Sequence, residues 1–176
     1  MLASTVAAYA QYQMNVFSID LITAYQISAS RFAFLFTAPM LPAIFLSIPL
    51  GKLSDKIGYR NAIQLGLAFT ILGLTGRIFA ESYSTLWICM AFSGASSITL
   101  FVNSARVLEE VVPAEKSVLF MGIYTTASML AQTFATATSA VLYSTLQKAY
   151  VGALVYAVVI TVIWAGNYCI EKENAE

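Results

Sequence analysis

Residues Gly51–Ala62 read GKLSDKIGYRNA, and the contrast with their surroundings decides the fold. Lys52, Asp55, Lys56 and Arg60 place four charges in these twelve residues. Phe32–Leu50 before the stretch and Ala62–Gly76 after it carry none. A short charged segment holding Gly51 and Gly58, set between two apolar runs of membrane length, reads as a tight turn at a water interface. The flanking runs then read as helices that cross a bilayer.

The rest of the chain agrees with that solvent. Of 176 residues, 59% are apolar and 10% charged, and the mean hydropathy is +0.76. Soluble domains carry about a quarter charged residues, so this chain cannot cover a globular surface with polar groups. A net charge of zero gives no argument for nucleic acid. Histidine is absent, and the two cysteines, Cys89 and Cys169, lie in separate apolar runs as packing residues. No metal site, cofactor site or disulfide is expected, and no catalytic residue, because Ser and Cys lack a base.

A helix needs about 20 mostly apolar residues to span the hydrocarbon. Six runs approach this: Leu2–Ile19, Phe32–Leu50, Ala62–Ala80, Leu86–Val107, Val118–Leu146 and Tyr150–Ile170. The expectation is an all-α membrane protein in which residues 1–176 form a single domain of six transmembrane helices. Residues 1–19 hold no basic region, so the first run is not a cleavable signal. With both termini cytoplasmic, the inside holds Lys52, Lys56, Arg60, Arg106, Lys116 and Lys172. The outside then holds Arg31, Arg77 and Lys148, and the excess of basic residues favours this orientation.

Polar residues within the helices are ordered rather than scattered. Ser4, Gln11, Asn15 and Ser18 fall on one face of the first helix; Ser96, Thr99 and Asn103 form a second stripe running to Arg106. In the fifth helix Thr125, Ser128, Gln132 and Thr136 share a face beside a small-residue row of Ala127, Ala131, Ala135 and Ser139. Each stripe faces either a neighbouring helix or a watery path. Pro39, Pro42 and Pro49 bend the second helix. Trp164 and Tyr168 read as interface anchors.

GKLSDKIGYRNA resembles the cytoplasmic loop motif of the major facilitator superfamily, which joins helices two and three of a six-helix half. Gly51, Leu53, Asp55, Lys56, Gly58 and Arg60 match it, and Tyr59 replaces a commoner basic residue. Glu110, Pro113, Glu115 and Lys116, followed by Gly122, resemble a second family pattern after helix four. The resemblance implies half of a major-facilitator-type bundle, with Asp55, Arg60 and Glu110 as a charge cluster that latches the inner side shut. A plain positive-inside turn accounts for Lys56 and Arg60 but leaves the glycines and Asp55 without a reason. Asp55 is also placed to cap the helix after it. Met90 stands where members often carry an arginine. Ser47 stands where nitrate and nitrite porters hold one that binds substrate.

A complete member has about twelve helices, so the resemblance implies a second six-helix half: a separate chain, a missing part, or a second copy in a homodimer. The abrupt start of the first helix favours an origin in a chain lacking its first residues. The implied function is transport of a small polar or organic solute across the cell membrane by alternating access. No Asp, Glu, Lys or Arg lies in the middle third of any predicted helix, which argues against proton coupling in this half. Gln11, Tyr12, Asn15, Asn103 and Gln132 are the expected lining of the solute path. The rival reading is a non-transporting six-helix membrane protein, or a gene fragment, that keeps the loop motif in a structural role. Its stripes would pack against each other and leave no cavity.

Overall fold

The computed structural model describes residues 2–173. Expectations resting on the side chains of Ser4, Tyr168, Cys169 and Lys172 lie outside the described side chains. The described residues form helices α1 (Leu2–Tyr12), α2 (Ser18–Ala24), α3 (Ala29–Thr37), α4 (Met40–Ile57), α5 (Tyr59–Ile78), α6 (Tyr83–Val111), α7 (Ser117–Leu142) and α8 (Leu146–Glu173). Two 3₁₀ turns, Gln13–Asn15 and Ala114–Lys116, complete the regular structure, and no strand occurs among the described residues.

Among the described residues, four stretches are long and apolar enough to cross a membrane: Ala29–Ile57, Tyr83–Leu108, Ser117–Leu142 and Leu146–Gly166. They correspond to the second, fourth, fifth and sixth expected spans. The third expected span becomes α5, 20 residues long but interrupted by glycine, threonine and glutamine and carrying Arg60 and Arg77 near its ends. The first expected span is not one helix. It breaks after Tyr12 into a 3₁₀ turn and the short α2.

That break has a packing cause. Val6, Ala7 and Ala10 of α1 fill one core cluster with Ile63, Leu67, Leu74, Leu100, Ala153 and Ala157. Met14 and Leu21 enter a second cluster with Leu35, Leu86, Met90 and Tyr150. A 3₁₀ turn advances about 20° more per residue than an α-helix, so three such residues rotate the next segment by about 60°. The stripe predicted for the first helix is therefore split. Gln13 is carried inward to full burial, and Asn15 is carried out to the surface.

α5 and α6 form the central hairpin, α8 packs along α5, α4 packs on α6, and α1 threads between α5, α6, α7 and α8. Small residues make these approaches possible. A Cβ on Gly94 of α6 would strike the backbone of Pro39, at the point where the α3–α4 run bends. Pro39 has no N–H to donate and starts a new helix there, and Pro49 lies inside α4. Ser28 caps α3 by accepting from the Arg31 N–H at 3.3 Å. Ser82 does the same for α6 from Thr85 at 3.2 Å.

Large apolar side chains stand on the outside in quantity. Phe45 is 73% exposed, Val118 83% and Val141 82%. In water this surface would cost about 25 cal/mol per Å²; against lipid tails or a second bundle it costs nothing.

Candidate functional site

The charged stretch turns the chain only at Gly58; residues 51–57 continue one helix and residues 59–62 open the next, where a longer turn was expected. α4 runs to Ile57 and α5 starts at Tyr59, so Gly58 alone makes the connection, with φ +82°. That backbone region strains any residue with a Cβ, which is the reason for glycine here. Asp55 lies inside the last turn of α4, and the residue that caps α5 is Gly58, with no side-chain cap. The capping role expected of Asp55 is therefore not taken up. A carboxylate near a helix C-terminus meets the negative end of the dipole, and here Arg106 of α6 answers it. Arg106 Nη1 lies 2.7 Å from Asp55 Oδ1 and donates to Ser54 Oγ at 3.2 Å.

Behind this pair the contacts become buried. Ser54, 2% exposed, hydrogen-bonds the Oδ1 of Asn103, whose Nδ2 donates to the Thr99 carbonyl at 2.7 Å. Asn103 is thus placed between α4 and α6, next to the turn. Ser96 donates to the Gly66 carbonyl at 2.8 Å, and its hydroxyl meets that of Thr70. The stripe on α6 is a seam between helices.

Of the other motif residues, Leu53 and Lys56 are exposed, and Gly51 has open space where a side chain would stand. Arg60 lies over the Tyr59 ring at 5.6 Å and donates to the Tyr59 hydroxyl at 3.1 Å. Glu110 is exposed. Sequence reasoning missed Ser54. The signal is present in Ser47, Gly51 and Ser54, small residues spaced by four and three along one face of α4.

A groove of about 320 Å³ opens between α1, α4, α6 and α7, lined by Gln11, Tyr12, Ser97, Tyr124, Ser128 and Gln132 among others. Three of the five expected path residues, Gln11, Tyr12 and Gln132, meet there, joined by Ser128 from the stripe on α7. Asn15 and Asn103 do not line it. The other two hydroxyls of that stripe turn back on their own helix, Thr125 to the Met121 carbonyl and Thr136 to that of Gln132. Their polarity is used locally, whereas Gln11 and Gln132 border the groove.

A second, larger cavity of about 740 Å³ lies between α1, α7 and α8, bordered by Thr5, Tyr9, Thr138, Tyr143 and Tyr156. It is mostly apolar. Its hydroxyls already pair, Thr5 with Tyr156 at 2.8 Å and Tyr9 with Thr138 at 3.0 Å. Among the described residues no group of His, Cys, Asp and Glu could hold a metal ion.

Long apolar helices, with a charged turn at one end and an open groove bordered by Gln11 and Gln132, define a helical membrane protein. The family description Major Facilitator Superfamily matches residues 1–171, and the chain belongs to that superfamily of membrane transporters, at about half the length of a complete member. No curated protein matches the chain.

Proposed function

We propose that the chain is one six-helix half of a secondary transporter that moves a small polar or organic solute by alternating access. The observation that carries this reading is the groove in which Gln11, Tyr12, Ser128 and Gln132 converge from α1 and α7. Amides and hydroxyls without a formal charge suit a neutral or weakly polar solute, since each can exchange a water hydrogen bond for one to the solute. A second six-helix half, as a separate chain, a missing part or another copy, would cover the groove and complete the path. In this reading the segments α1–α2 and α5 also cross the bilayer, giving six spans in the cell membrane with both termini cytoplasmic.

The turn takes the part of an inner latch. Gly51, Leu53, Asp55, Lys56, Gly58, Arg60 and Glu110 are its proposed residues, and the Asp55–Arg106 pair supports Asp55 as its centre. The test is solute uptake by the complete assembly in proteoliposomes. Combined substitution of Gln11 and Gln132 by Ala should abolish uptake while leaving the protein folded; undiminished uptake overturns the assignment of the groove.

One observation favours the rival, non-transporting reading. Ser96, Thr99 and Asn103 are buried between helices instead of lining a path. If a reconstituted assembly of both halves moves no solute across a broad panel while binding its partner stoichiometrically, the structural role stands.

A further inference from the structure

At the end of α5 opposite the charged turn, Arg77 is buried to 2% exposure, although its place in the sequence suggests an outer loop. Its Nη1 donates to the Ala10 carbonyl at 2.6 Å, Nη2 donates to Ser93 Oγ, and its Cζ lies 5.9 Å from the centre of the Tyr150 ring. No carboxylate is within ion-pairing distance among the described residues. Nε of Arg77 and the hydroxyl of Tyr150, itself 2% exposed, are buried with no hydrogen-bond partner. A buried guanidinium without a counter-charge is costly, and an orphaned buried donor adds to that cost.

Both residues line a cavity of about 510 Å³ between α2, the end of α5 and the α7–α8 connection. Asp20 of α2 and Glu81 of the α5–α6 connection, both exposed, also line it, with Ser144 and Gln147 from around the α7–α8 connection. The floor thus offers one cation with spare donors, and the rim two carboxylates. A simple anion would be drawn by Arg77 and repelled by the rim. A molecule carrying an oxyanion and an ammonium a few atoms apart satisfies both.

We propose that this cavity binds a small zwitterion, its phosphate or carboxylate on Arg77 and Tyr150 and its ammonium between Asp20 and Glu81. The site is separate from the groove between α1 and α7. Two sources share this chemistry: an aminophospholipid headgroup and a free zwitterion from the aqueous phase.

The detergent-solubilised full chain is titrated with phosphoethanolamine, inorganic phosphate and ethanolamine, following tryptophan fluorescence (Trp87 and Trp164) and the thermal midpoint. Phosphoethanolamine should bind saturably, and at least about tenfold more tightly than either half-molecule, as expected when both charged contacts contribute. Tyr150→Phe should weaken it about fivefold, the loss of one hydrogen bond, with the ligand-free midpoint retained. Asp20→Asn with Glu81→Gln should erase the preference over phosphate. Arg77→Lys should weaken binding too, because a point charge does not replace a planar fork.

A nanodisc arm separates the sources. Protection by phosphatidylethanolamine over phosphatidylglycerol that soluble phosphoethanolamine does not displace identifies lipid; displacement identifies a free solute. Absence of any saturable response in both arms overturns the proposal. So does a response unchanged in both the Tyr150 and the rim variants.

Discussion

At the residue scale, exposure separates side chains that hold the fold from those that serve conformational change. Asp55 is 62% exposed in its pair with Arg106, and exposed pairs contribute about 0–1 kcal/mol. Asp55→Asn should therefore leave the thermal midpoint in detergent nearly unchanged while depressing uptake by the complete assembly; an equal loss of both would make the pair a structural brace. Asn103 behaves in the opposite way. Asn103→Leu leaves the buried Ser54 hydroxyl without its amide partner and should cost about 1–3 kcal/mol, read as a lowered denaturation midpoint. The sequence shows both as polar residues near the charged turn, but not which is enclosed, because enclosure depends on how α4 lies against α6.

At the scale of elements, the glycines of α5 and α6 mark where backbones approach. The Cβ of an alanine at Gly66 would come 2.8 Å from Cγ and 2.9 Å from Cδ2 of Leu100, a side-chain contact and not a backbone one. At Gly94 it would strike the Pro39 backbone at the α3–α4 bend, which cannot yield without moving a helix. Gly94→Ala should thus lower the thermal midpoint more than Gly66→Ala, by an overpacking cost of about 1–3 kcal/mol. Periodicity locates most helices, since apolar runs of this length have few other stable forms in a membrane. It misses the break after Tyr12. Nothing local in Gln13-Met14-Asn15 forbids a continuous helix; the break comes from Met14 and Leu21 seeking a different core cluster from Ala7 and Ala10.

At the scale of the whole molecule, the exposed apolar faces of α4 and α7 match a bilayer or a second bundle as their surroundings. The proposed orientation places Lys52 inside and Lys148 outside. Cysteine introduced at Lys148 should react with an impermeant thiol reagent in intact cells, and cysteine at Lys52 only after permeabilisation; the reverse pattern inverts the topology. Arg77 does not belong in that charge comparison, because it is buried in the bundle.

By itself the sequence determined the solvent, the helical class, the position of the charged turn and its family likeness. Each comes from composition and spacing along one chain. Tertiary structure alone decided which polar residues share a space: Gln11, Tyr12 and Gln132 at a groove, Asn103 in a seam, Arg77 at the floor of a cavity. A helix face can be read from period, but its neighbours are set by the rotation and packing of helices far apart in the chain, and a three-residue 3₁₀ turn is enough to change them.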